Sequence, residues 1–223
     1  MGGWPPTVHI VGPRASGGRS THGVTRHSIG IPDDEACIDG IRVTTLPRTA
    51  VDLARVDSHQ NAVVAADAAL AGCRIGSTLI RTSRRELGGV LATVDGRGSA
   101  AARSVIAFAN GAAGSPGESL SRVAIARDRL TAPVLQNKFS DEFGDMFVDF
   151  FWPENGVIGE FDGVGKYLRE EWMDGRSSGE VVVDEKWRED RLRGMGFRVV
   201  RWGWDLVQRP GALTRLLRAS GVR

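Results

Sequence analysis

Val148-Asp149-Phe150-Phe151-Trp152-Pro153-Glu154-Asn155-Gly156-Val157-Ile158-Gly159-Glu160-Phe161-Asp162-Gly163 sets three acids, Asp149, Glu160 and Asp162, into two short apolar runs separated by turn residues. Residues 146–152 and 157–161 are aromatic and β-branched, and Pro-Glu-Asn-Gly between them is a turn signal, so the stretch predicts a β-hairpin. A four-residue loop over 153–156 pairs Asp149 with Glu160, whereas a two-residue Asn155-Gly156 turn pairs Asp149 with Asp162. Side chains alternate along a strand, so both registers put all three acids on one face.

Opposed residues on antiparallel strands have Cβ atoms about 4.5 to 5.5 Å apart, close enough for like charges to destabilise a sheet. At an effective dielectric near 20, two carboxylates about 5 Å apart repel by roughly 3 kcal/mol. A protonated carboxyl, a neighbouring Arg or Lys, or a bound divalent cation offsets that repulsion, and a set of hard oxygen ligands suits Mg2+ or Mn2+. The competing expectation is a polar face of solvated acids. Against it, these acids interrupt otherwise apolar strands.

The chain has 223 residues, 41% hydrophobic and 25% charged, enough for one large domain or two small ones. No apolar run approaches the ~18 to 20 residues of a membrane span and no signal peptide opens the chain, so a cytoplasmic location is expected. Cys37 and Cys73 lack metal or redox spacing and are expected to be reduced structural residues. Of 29 basic residues 26 are Arg; the lysines are Lys138, Lys166 and Lys186, two of them after the acidic hairpin. All four histidines, His9, His22, His27 and His59, precede residue 60, which excludes His-based triads from the C-terminal half. Twelve basic and nine acidic residues precede residue 113, against 17 and 18 after it, a bias too small to establish nucleic-acid binding.

Strands are expected at 7–11, 23–28 and 41–45, with a basic loop over 13–22. A helix opens at Leu46-Pro47, and others follow near 59–71, 76–92 and 98–110. The Gly/Ser/Pro-rich stretch 110–117 is the linker candidate, dividing the chain into 1–112 and 113–223. Beyond it come a helix at 118–130, a strand at 133–139, a turn, the hairpin, a loop or short helix over 166–180, a helix at 183–193, a strand at 197–202 and a basic helix at 212–219. That order predicts an α/β fold with one mixed four-stranded sheet flanked by helices, plus a smaller N-terminal α+β domain. Lys186, Asp190 and Arg193 share a helix face that either meets the sheet edge or forms a solvated ion-pair ladder. Trp187, Trp202 and Trp204 are expected in the core, and Arg48 and Asp52 as a structural pair. Tyr167, Arg169, Trp172 and Arg176 offer either stacking and phosphate contacts or an ordinary surface loop.

Over residues 115–208 the chain resembles the restriction-endonuclease-like superfamily, shorthand PD-(D/E)XK, and more closely its branch similar to the very-short-patch-repair endonuclease. Glu118, Val148-Asp149-Phe150, Ile158-Gly159-Glu160-Phe161-Asp162-Gly163 and the run from Glu185-Lys186 to Arg201 carry the likeness. The resemblance implies a Mg2+- or Mn2+-dependent nuclease, with DNA the expected substrate. Asp149, Glu160 and Asp162 would serve the metal and Glu118 an outer position through water. Asp162 stands where the superfamily pattern has Lys, so Lys186, then Lys166, is the candidate amine for orienting or deprotonating water. Gln136, Lys166, Arg188 and Arg193 are the candidate nucleic-acid contacts, with a satisfied strand amide the alternative for Gln136. Ile41 to Ala54 looks like the region after the winged helix in abortive-infection-type antitoxin regulators. The winged helix is not visible, which implies a shortened or mis-started chain or a lost DNA reader. Two other functions compete: a non-catalytic DNA-binding or antitoxin-like regulator on a degenerate nuclease fold, and a toxin–antitoxin protein partner without nucleic-acid contact.

Overall fold

In the computed structural model, residues 7–13, 20–28, 30, 35–75, 77–163 and 178–223 are described. The chain begins with a parallel pair, β1 (Val8–Val11) and β2 (Val24–His27), followed by an antiparallel pair, β3 (Glu35–Ile38) and β4 (Ile41–Thr44). Helix α1 (Leu46–Val56) starts with Pro in its first turn, where the missing N–H has no intrahelical partner to lose. Helix α2 (His59–Ala71) is capped by Ser58, whose hydroxyl accepts from the Asn61 N–H.

The helix expected over 76–92 is divided. The Thr78-Leu79-Ile80 run forms β6 (Thr78–Ile80) against β5 (Cys73–Ile75), and a capping box between Ser83 and Glu86 starts α3 (Arg84–Thr93) afresh. With α4 (Ser99–Phe108), the helices enclose a core of small residues, Ala50, Val51, Ala54, Ala62, Val63, Ala66, Ala69 and Ala102, that lets their backbones pack closely.

The C-terminal half has the expected α/β architecture. Helix α5 (Pro116–Arg127) leads to β7 (Val134–Asp141), β8 (Gly144–Trp152), a 3-10 turn and β9 (Val157–Phe161). Then follow α6 (Ser178–Gly194), β10 (Arg198–Trp202), α7 (Trp204–Gln208), which was not anticipated, and α8 (Ala212–Ala219). The sheet runs β10-β9-β8-β7, parallel between β9 and β10 and antiparallel elsewhere. One face packs Phe150, Trp152, Phe161 and Trp202 against Ile125, Leu213 and Leu217; the other packs Met146, Val148, Ile158 and Val199 against Leu192 of α6. Gly159 permits the first packing, because a Cβ there would lie 2.4 Å from the Trp202 ring.

Helix α5 belongs to both cores: Val123 joins the N-terminal cluster, Ala124 and Ile125 the sheet cluster. Trp202 is buried and Trp204 packs beside it, as expected, whereas Trp187 is 64% exposed on the outer side of α6. Cys37 and Cys73 are free and exposed, not core residues.

Candidate active site at a break in the central strands

The β8–β9 pairs are Phe150 with Gly159, Phe151 with Ile158 and Trp152 with Val157, the register of the four-residue connection. This ladder stops one residue short of Asp149 and Glu160. On the other side, β7 and β8 pair on both flanks of Gln136 and Asp149 but not at those residues, and Gln136 has φ +48°. Met146 and Val148 face Leu192, whereas Phe150 and Trp152, of the same parity, face the opposite core. The alternation therefore changes face at Asp149, so the simple parity that put three acids on one face does not hold through this point. A non-glycine residue held at positive φ costs about 1–3 kcal/mol, and such strain concentrates where function requires it.

At the break, the Asp149 carboxylate substitutes for the interrupted ladder. Its Oδ2 accepts from the Phe161 N–H at 2.9 Å and its Oδ1 from Gln136 Nε2 at 3.3 Å. The same Gln136 amide donates to Glu118 Oε2, also at 3.3 Å, so it links two acids. Glu118, 3% exposed, sits in the first turn of α5 and accepts from the Gly114 N–H at 2.7 Å and the Ser115 hydroxyl at 2.8 Å. Gly117 makes this approach possible: a Cβ there would stand 2.0 Å from the Phe161 ring. Gln136, a candidate nucleic-acid contact, is thus the bridge between Glu118 and Asp149.

Glu160 is 8% exposed. Burial pushes its carboxyl up to about 8; Arg188 opposes that shift and the nearby Asp149 charge adds to it. Arg188 donates from Nη2 to Glu160 Oε1 at 2.6 Å and from Nη1 to the Phe147 carbonyl at 2.7 Å. Arg201 on β10 adds a second positive charge near Glu160 while bonding Glu185 at 2.7 Å and Glu189 at 2.9 Å. Asp162 follows β9, its N–H held by the Trp202 carbonyl at 2.8 Å.

Helix α6 is rotated differently from the expected stripe. Glu185, Arg188 and Leu192 face the sheet, while Lys186 and Asp190 are exposed and Arg193 pairs with Glu189 at 2.8 Å. Lys186 is exposed, and Arg188 is the α6 cation that bonds Glu160. Arg193 belongs to a helix ion-pair ladder and not to the site. Lys166, Tyr167, Arg169, Trp172 and Arg176 lie outside the described residues. The inward roles of Arg188 and Arg201 were missed. The available signal was Leu192, the one large apolar residue of 184–193 besides Trp187, which selects the face carrying Arg188 and Glu185.

Among the described residues, no three of His, Cys, Asp and Glu stand close enough together to form a metal cage. The carboxylates of Asp149 and Glu160 are hard oxygen donors, the class that could hold Mg2+ or Mn2+.

Two uncharacterised proteins of Mycobacterium tuberculosis, MT2308 of strain CDC 1551 / Oshkosh and Rv2248 of strain ATCC 25618 / H37Rv, are similar to this chain. Each is 32% identical over 176 residues, covering 77% of this chain and 59% of the relative. The chain thus spans less than two thirds of the length of these relatives. No family model matches it, and no solved structure matches it significantly. No helix among the described residues is long and apolar enough to cross a membrane.

Proposed function

We propose that residues 113–223 form a divalent-cation-dependent nuclease domain that hydrolyses phosphodiester bonds, with DNA as the substrate. The observation that supports this most is buried Glu160, whose carboxyl is raised to about 8 beside the strained break at Asp149. A buried acid with raised ionisation, next to a second carboxylate and a strained break between central strands, is characteristic of sites built for a ligand. Asp149 and Glu160 would hold Mg2+ or Mn2+. The cation would supply Lewis acidity for the phosphoryl oxygens and lower the pKa of water.

The chain's own residues then have distinct tasks. Gln136 orients Asp149 through Oδ1 while the Phe161 N–H fixes Oδ2. Glu118, immobilised by Gly114 and Ser115, is an outer acceptor for ordered water. Arg188, released from Glu160, becomes available to a phosphate oxygen, for which its planar fork is suited. Exposed Lys186 is no longer the candidate amine, which leaves Lys166 for orienting the attacking water. The test is plasmid nicking with and without Mg2+: cleavage requires the metal and is abolished in Asp149→Asn and Glu160→Gln. Full activity in either variant would falsify the assignment.

The Arg188–Glu160 bond favours a second function. A guanidinium at 2.6 Å is itself a permanent counter-cation, as in a regulator that keeps the fold, binds DNA and has lost turnover. Such a protein shows no metal-dependent nicking, and its DNA affinity falls steeply with salt. A toxin–antitoxin partner is tested separately by co-purification.

A further inference from the structure

We infer that the N-terminal domain carries a separate binding site for a nucleoside phosphate, either a free nucleotide or the phosphorylated 5′ end of a nucleic-acid strand. The site is a cavity of about 460 Å³ between the β1–β2 ribbon and α1, within the ~300–1,000 Å³ range of small-ligand pockets. The inference is independent of the hydrolytic site, which it does not use.

The cavity arises from two periodicities. On the ribbon, His9, Val11 and His27 share one face. On α1, Thr49, Asp52, Leu53 and Val56 recur at helical spacing and line the facing wall, while Ala50, Val51 and Ala54 point into the helical core. Arg55 and Arg97 complete the lining.

Its chemistry is that of a phosphate at one end and a flat apolar group at the other. Asp52, the acid in the lining, is already engaged by Arg48 at 2.7 Å and by Arg55 at 3.5 Å, so positive charge remains in excess. Arg55 also donates to the Asp95 and Arg97 carbonyls at 3.1 and 3.2 Å. Arg55 and Arg97 are the cationic residues of the lining, and a phosphate oxygen is the acceptor that guanidinium groups suit.

Arg55 further fixes the loop that presents Arg97. Gly98 packs so closely that a Cβ would lie 2.3 Å from the Arg55 carbonyl oxygen. Arg97 is exposed and is among the residues that line the cavity. Thr44 and Thr49, 2.6 Å apart, add hydroxyls. His9 and His27 are hydrogen-bonded at 3.1 Å with ring centroids 5.1 Å apart and planes tilted by 32°. They form an aromatic wall beside Val11, Leu53 and Val56 against which a nucleobase stacks. Inorganic phosphate alone leaves that half unfilled.

Calorimetric titration of adenosine 5′-monophosphate, adenosine and inorganic phosphate into the full chain, its Arg97→Gln variant and its Asp149→Asn variant tests this. Saturable monophosphate binding is expected, at least tenfold weaker in Arg97→Gln and for adenosine, and unchanged in Asp149→Asn. Arg97→Gln should melt with the wild type because Arg97 is exposed. Competition by a 5′-phosphorylated oligonucleotide, but not its 5′-hydroxyl counterpart, would assign the ligand to a strand end; competition by neither leaves the free nucleotide as ligand. Absence of saturable monophosphate binding, or equal affinity in Arg97→Gln, overturns the inference. Because Asp149→Asn retains the binding, loss of the nuclease assignment leaves this result standing.

Discussion

Asp67 and Glu160 are both carboxylates enclosed between packed elements, 1% and 8% exposed, but their surroundings differ. Asp67, on α2, accepts from the Asn110 N–H at 2.6 Å, the Ser119 hydroxyl at 2.8 Å and Arg122 at 2.6 Å. Arg122 also bonds the Phe108 carbonyl at 2.7 Å and lies over that ring, so α2, α4 and α5 are tied at one point. Glu160 receives one donor, Arg188, has the Arg201 charge nearby, and faces the like charge of Asp149 beside a strained strand. A buried acid with a full set of donors is part of the architecture. One short of donors, at a break in a sheet, has capacity for a ligand.

The largest effect expected from breaking this contrast is at Asp67. Asp67→Ala leaves the Arg122 guanidinium buried without its counter-ion and should lower unfolding stability by about 3–5 kcal/mol in urea titrations. A loss below about 1 kcal/mol would show that the junction is not held there.

Glu160 should respond in the opposite direction. Its carboxyl moves from an ordinary 4.5 to about 8 in the folded chain, so its contribution is full below pH 4.5 and is lost as pH rises through 8. In metal-free buffer, Glu160→Gln should gain on the wild type by a few kcal/mol at pH 9, with the gap closing towards pH 5. A gap that widens towards acid would mean that Arg188 already satisfies the carboxylate.

Gly117→Ala drives a methyl into the Phe161 ring and should cost about 1–3 kcal/mol by overpacking. It should also weaken metal-dependent cleavage by displacing Glu118, whereas equal stability and activity would mean that α5 shifts freely. The smallest effects belong to the outer face of α6: Trp187→Ala and Lys186→Ala should each change stability by less than about 0.5 kcal/mol. Lys186→Ala should retain cleavage; its loss would return Lys186 to the site.

The hairpin and, apart from α7, the order of C-terminal elements were legible because strand periodicity and turn chemistry are local, whereas the choice between the two hairpin registers was not. Glu118 came from the resemblance alone, whereas Asp149 and Glu160 were visible as acids in apolar strands. The change of face at Asp149 was not, because it depends on Gln136 adopting a conformation that no glycine announces. Nor was the direction of α6, where four charges surround each apolar anchor and tertiary packing on Leu192 decides the rotation. The β5–β6 hairpin was hidden for a related reason: Thr78-Leu79-Ile80 is too short for its period to separate strand from helix.

Under the proposed function, Asp149 and Glu160 hold a cation in place of Arg188. Calorimetric titration of Mn2+ into the wild type, Asp149→Asn and Arg188→Ala tests it most directly. One saturable site is expected, whose affinity rises with pH towards 8 as Glu160 yields its proton, falls at least tenfold in Asp149→Asn and strengthens in Arg188→Ala. No saturable binding to the wild type, or an unchanged isotherm in Asp149→Asn, would contradict it and leave Arg188 as the permanent counter-ion of a non-catalytic fold.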